Sequence, residues 1–174
     1  MQSDKNSEIR MIEKIVWILG FTCLLGLSRI IPHPPNFTPI LAVAVFIPLV
    51  LKNNLLAIPV TLGAMLIGDL YWGFHGIMFW TYGAVILATQ LKFRNVFGNA
   101  VLASIIFFLV TNFAVWNMYD MYPKTLDGLI LCYTMAIPFF QNTLLGTLFY
   151  TLVFTSIDLF NKMFLSTYLK RLHT

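Results

Sequence analysis

From Leu126 to Phe160 the chain runs for 35 residues with few charges, and Pro138 stands inside the run. As one straight helix the segment measures about 52 Å at the usual rise per residue. The hydrocarbon core of a bilayer is only about 30 Å thick. Proline removes a backbone donor and clashes with the preceding turn, so the run must divide near Pro138. The division predicts a half-helix over Leu126–Ile137, at the outer edge of a bundle, and a spanning helix over Phe139–Phe160. The tail from Asn161 to Thr174 carries Lys162, Lys170 and Arg171 and predicts an interfacial stub.

The rest of the chain repeats this theme of apolar runs broken by short polar strips. Further helices are predicted over Met11–Ile31, Phe37–Leu51, Leu55–Trp72, Ile77–Leu91 and Val96–Trp116. Composition agrees with this reading: 59% of the residues are hydrophobic and 10% charged, and the mean hydropathy is +0.80. A soluble domain carries about 25% charged residues. The expected class is therefore all-α, a polytopic membrane helical bundle of six transmembrane helices with an outer half-helix before the sixth. Residues 1–174 form a single transmembrane domain on this reading. The mixed-charge start "MQSDKNSEIRMIEK" and the absence of an A-x-A pattern predict an uncleaved first helix instead of a signal peptide.

Charge placement sets the orientation. With both termini in the cytoplasm, nine basic residues fall inside: Lys5, Arg10, Lys14, Lys52, Lys92, Arg94, Lys162, Lys170 and Arg171. Two, Arg29 and Lys124, fall outside. Loops rich in Lys and Arg stay cytoplasmic. The net charge of +4 is accounted for by topology and does not point to nucleic acid.

Three unusual strips then share the outer face: "RIIPHPPNFTP", "DLYWGFHG" and "TNFAVWNMYDMYPKTLDG". Polar groups that orient and aromatic faces that stack are the ordinary material of a small-molecule site. The candidate ligand-binding residues are Arg29, His33, Asn36, Asp69, Trp72, His75, Asn112, Trp116, Tyr119 and Asn142. Asp69 is costly near a helix end in a bilayer unless paired or wetted, and Arg29 is its natural partner. That pair either clips two helices together or meets a ligand; the two readings are compatible. Trp72, Trp116 and Tyr119 read as stacking faces or as the aromatic belt of a membrane protein. Asn142 follows the Pro138 break, and broken helices often border transport sites. An outer cavity lined by Asp69, His75 and Trp116 is the arrangement that would favour uptake.

Other signals are plainer. Cys23 and Cys132 read as small core residues. Thr143, Thr147, Thr151 and Thr155 form a stripe at four-residue spacing, suited to close helix packing or to docking a partner helix. His33, Asp69 and His75 lack metal-ligand spacing: Asp69 and His75 stand six apart and share no helix face. No nucleophile elbow, phosphate loop or catalytic carboxylate pair is visible. No cofactor, metal or catalytic residue is expected, and the chain does not read as an enzyme.

The strips "RIIPHPPNFTPILAVAVF", "GDLYWGFHG" and "TNFAVWNMYDMYPKTLDGLILCYTMAIPFFQNTLLG" resemble a family of uncharacterised bacterial integral membrane proteins over Arg29–Asp158. The six-helix plan is similar in architecture to the S components, the substrate-binding subunits of energy-coupling-factor vitamin transporters. That resemblance implies uptake of a vitamin-like micronutrient from the outer face, a loop after the first helix as lid, and residence in a bacterial inner membrane. It also implies membrane lipid, a small organic ligand and a coupling transmembrane protein with ATPases as partners. The chain departs from many S components in helix one, where only Thr22 and Gly26 stand at the docking-pattern spacing. Two readings compete with uptake: a structural or assembly subunit with the threonine stripe as its interface, and a membrane enzyme using His75 and Asp69 on a lipid or quinone.

Overall fold

The computed structural model describes residues 2–28 and 32–171, which form seven α-helices and, among the described residues, no strand. They are α1 (Gln2–Ser28), α2 (Ile40–Leu51), α3 (Asn54–Trp72), α4 (Met78–Thr89), α5 (Val96–Met118), α6 (Leu126–Met135) and α7 (Ile137–Arg171). Two helical stretches, Val96–Met118 and Ile137–Ser166, are long and apolar enough to cross a membrane.

The short helix α2 is the centre of the molecule. It touches α1, α3, α4, α5 and α7, and every residue from Leu41 to Pro48 is buried. A helix that is apolar all round belongs inside a larger structure. Twelve residues span only about 18 Å, well short of a bilayer core. Five other helices pack against α2, so its length is that of a buried segment and not of a bilayer span. Around it sit two clusters. Trp17, Phe21, Phe46 and Phe154 interlock α1, α2 and α7, with ring centroids 4.9 Å apart for Phe21–Phe154 and 5.5 Å for Trp17–Phe46. Leu41, Met65, Val85 and Ala100 join α2 to α3, α4 and α5. The outer surface is apolar in turn: Ile15, Leu19, Ile67, Leu70, Phe79, Leu87, Leu145 and Leu152 are all exposed.

Several helix limits differ from the sequence expectation. The second helix starts at Ile40 and not at Phe37, because Thr38 precedes a proline and is steered away from helical backbone. The first helix begins at Gln2, since "QSDKNSEIR" holds neither Pro nor Gly to stop it. The break near Pro138 falls at Ala136. The expected stub after Phe160 is instead an unbroken continuation of α7 to Arg171. Lys162 and Asp158 stand one turn apart with Nζ and Oδ2 2.5 Å from each other, bridging the place where the helix was expected to end.

The polar strips gather at opposite ends. At one end the Asn54 side chain donates to the Thr89 carbonyl at 2.7 Å, tying the α2–α3 turn to the end of α4. There too Asn99 exchanges hydrogen bonds with the backbone of Phe93 in the α4–α5 loop. At the other end lie the strap of residues 32–39, the α3–α4 loop and the α5–α6 loop. A Cβ built on Gly76 would stand 2.9 Å from the Tyr119 hydroxyl, so the last two loops touch.

Candidate ligand-binding site

The strap takes its shape from its own residues. Phe37 N–H donates to the Pro34 carbonyl at 3.0 Å, closing a turn over Pro35 and Asn36. Asn36 has φ of 63°, a left-handed value. Proline at the second position and Asn with positive φ at the third are the pattern of a type II turn. One face of α7 holds this turn down. Asn142 Nδ2 donates to the Pro35 carbonyl at 3.0 Å. Gly146, one turn on, lets the strap backbone approach so closely that a Cβ there would sit 3.1 Å from Phe37 Cα. The Phe37 ring packs on Phe149 and Tyr150, with centroids 6.0 and 5.9 Å away.

Beneath the strap is a cavity of about 390 Å³, within the usual range for small-molecule sites. Its mouth is set by His33, Asn36 and His75, all exposed. His33 Nδ1 lies 2.8 Å from the Pro34 carbonyl. A carbonyl can only accept, so the proton is on Nδ1 and Nε2 is left available. The walls are aromatic: Phe107 and Phe108 on α5 and Phe139 and Phe140 on α7, with the Phe108 and Phe140 centroids 4.9 Å apart. The floor includes Leu41, Met65 and Thr147, each no more than 4% exposed. Thr81, Thr111, Asn112 and Thr143 add polar atoms to the interior.

The sequence candidates divide into three groups. His33, Asn36, His75 and Asn112 line the cavity. Asn142 stands behind the strap and bonds its backbone. Trp116, Tyr119 and Asp69 are not among the cavity's lining residues. Trp116 Nε1 donates to the Pro123 carbonyl at 2.9 Å, and Lys124 Nζ donates to the carbonyls of Trp116 and Tyr119. These bonds close the C-terminal end of α5, where a cation meets the negative end of the helix dipole. Asp69 is 1% exposed and accepts from the Tyr82 hydroxyl at 2.5 Å. It lies one turn past Met65 on α3, outside the cavity lining. The expected cavity edged by Asp69 and Trp116 is thus replaced by one under the strap, against α5 and α7. Arg29 and the side chain of Trp72 lie outside the described residues.

Two other expectations change. Thr143, Thr147 and Thr151 are buried, so the threonine stripe faces the interior and is not an outward docking face. Cys23 is exposed and only Cys132 is buried, because α1 turns Cys23 away from the Trp17–Phe21–Leu25 face.

Sequence reasoning missed the walls. Their signal is the double aromatic followed by Thr four residues after its first member, "FFLVTN" at 107–112 and "FFQNT" at 139–143. Residues four apart share a helix face, so each motif places an aromatic and a hydroxyl side by side.

Removing the Tyr82 hydroxyl tests the structural role of Asp69. Tyr82→Phe is expected to lower stability by about 1–3 kcal/mol, the cost of depriving a buried polar group of a partner. Unfolding of the two proteins in the same detergent measures it; equal stability would mean that this bond does not hold α3 to α4.

The described residues thus form an all-helical protein with an apolar outer surface, two helices long and apolar enough to cross a membrane, and a strap-covered cavity of small-molecule size. The chain belongs to a family of unknown function, DUF6580, whose model matches residues 10–167. No curated protein and no solved structure gives a significant match.

Proposed function

We propose that this protein is the substrate-binding subunit of a small-molecule uptake system, of the S-component type. On this reading it is multi-pass in a bacterial inner membrane with both termini in the cytoplasm, and it captures a vitamin-like micronutrient from outside. The observation that carries the reading is the cavity of about 390 Å³ closed by a strap pinned to α7. A preformed, aromatic-walled cavity with a few convergent polar groups is what capture of a small organic molecule requires. Prolines in the strap lower the entropy lost when it closes on a ligand. The basic residues Lys52, Lys92 and Arg94 fall at the end opposite the strap, in keeping with a cytoplasmic end there. A coupling transmembrane protein with ATPases completes the proposed system.

The test is mass spectrometry of small molecules that survive purification. Wild-type protein is expected to carry a discrete organic molecule. Thr111→Phe, which puts a ring into the cavity, is expected to lose it. Preparations that carry nothing in either form, and gain nothing from a metabolite extract, would end the proposal.

A further inference from the structure

Four threonines on α4, α5 and α7 supply hydroxyls to the cavity lining. Thr81, Thr111, Thr143 and Thr147 each donate their hydroxyl hydrogen to the backbone carbonyl four residues back, at 3.1, 2.8, 2.9 and 2.7 Å. A hydroxyl has one hydrogen to give and two lone pairs to receive. With the hydrogen spent on its own helix, each oxygen faces a ligand as an acceptor. Asn112 spends one amide hydrogen on the Phe108 carbonyl at 2.8 Å and keeps its Oδ1 together with one N–H. At the mouth, the Nδ1–H bond of His33 leaves Nε2 as an acceptor in the neutral ring. Among the described residues, no Lys, Arg, Asp or Glu lines the cavity.

We infer that the cavity selects a neutral or cationic hydrogen-bond donor on a flat apolar body, such as an aromatic amine or alcohol, and rejects carboxylates and phosphates. The inference rests on the uptake reading for its site and adds the ligand class. An anion brought among the threonine oxygens meets lone pairs and, among the described residues, no Lys or Arg to compensate, and a buried charge without a partner is costly. Turning a threonine hydroxyl to serve it forfeits that residue's bond to its own helix. A cation meets the reverse: acceptor oxygens at Thr111 and Thr143, and the negative faces of Phe107, Phe108, Phe139 and Phe140. The same four rings fit a planar body.

Three probes of nearly equal shape separate the cases: tryptamine, tryptophol and indole-3-acetate. Each is titrated into the full chain in lipid nanodiscs and read by equilibrium dialysis. Tryptamine and tryptophol are expected to bind at least about tenfold tighter than indole-3-acetate, the weight of one hydrogen bond to a charged group. Thr111→Val and Thr143→Val remove an acceptor with little change in shape. Each is expected to weaken tryptamine about tenfold, with the empty protein still folded and its stability lower by no more than about 1.5 kcal/mol. Thr143→Ser, which restores the oxygen, is expected to restore affinity.

Indole-3-acetate binding as tightly as tryptamine overturns the inference and leaves a binding site in place. So does acetate binding that disappears in Arg29→Gln, which would give the ligand a guanidinium partner. A co-purified occupant bearing a carboxylate or phosphate overturns it in the same way. If no probe binds and no molecule co-purifies, the inference and the uptake reading fail together.

Discussion

Gly128→Ala is expected to destabilise the protein by at least about 3 kcal/mol, at the upper end of what overpacking costs. A Cβ at Gly128 would stand 2.0 Å from the Pro123 oxygen and 2.8 Å from its carbonyl carbon. Both are backbone atoms, so no rotamer change relieves the clash and the α5–α6 loop must move. That loop is held by several bonds at once. Pro123 O receives the Trp116 indole hydrogen at 2.9 Å, and Lys124 donates to the Tyr119 carbonyl at 2.7 Å. The Thr125 hydroxyl accepts from the Gly128 amide at 3.2 Å and caps α6. Displacing Pro123 pulls on all three. Thermal unfolding in micelles should show a fall of about 6–12 °C. Gly98→Ala is the control: on the first turn of α5 its Cβ meets only Asn95 Cβ at 3.9 Å, so the better helix former should be neutral or stabilise by up to about 1 kcal/mol. If the two variants unfold alike, the packing of Pro123 on Gly128 is not what fixes the loop.

The same loop explains where sequence reading succeeded and where it failed. The helical class followed from apolar runs, and the division of the long terminal run followed from Pro138, because both depend on local chemistry. Helix ends were less legible. Nothing within "QSDKNSEIR" or "NKMFLSTYLKR" forbids helix, so α1 and α7 run on beyond the apolar residues. The shortness of α2 was hidden for another reason: its length is set by burial among five helices, which no local pattern reports. Composition alone marked the three polar strips, and four of the candidates drawn from them (His33, Asn36, His75, Asn112) do line the cavity. Trp116 had the right chemistry for a ligand, yet its indole hydrogen is used within its own loop. That hydrogen goes to the Pro123 carbonyl seven positions later, and the backbone carbonyls of Trp116 and Tyr119 receive Lys124 eight and five positions later. A polar aromatic serves a ligand only if its own loop has not already engaged it, and spacing along the chain does not reveal that. The threonines were visible as a stripe, yet the facing aromatics that turn Thr143 and Thr147 into a cavity wall come from α5, far away in sequence.

Gly146→Leu should raise the Kd for tryptamine about a hundredfold or more while leaving the bundle folded. The strap brings His33, Asn36 and Thr38 to the cavity. It reaches that position because α7 offers no side chain at residue 146: a Cβ there would already lie 3.1 Å from Phe37 Cα, 3.2 Å from Thr38 N and 3.3 Å from Phe37 C. An alanine asks the strap to yield by tenths of an ångström. A leucine has three more carbons pointing at backbone that has nowhere to rotate, so the strap must lift. Lifting it breaks the Asn142–Pro35 bond of 3.0 Å and separates Phe37 from Phe149 and Tyr150. The interior core is untouched, since Thr143, Thr147 and Phe154 lie on the neighbouring face of α7 and stay buried. Stability should therefore fall by only about 1–3 kcal/mol, far less in proportion than binding. Asn142→Ala should act in the same direction and more weakly, about tenfold, because it removes one hydrogen bond and leaves the packing. Hydrogen exchange gives a reading independent of any ligand. The amides of Phe37 and Thr38, bonded to the Pro34 and Asn36 carbonyls at 3.0 and 3.1 Å, should exchange faster in Gly146→Leu, whereas those of α2 should not. A leucine variant that binds tryptamine as the wild type does, with these two amides exposed, would show that the strap is no part of the site.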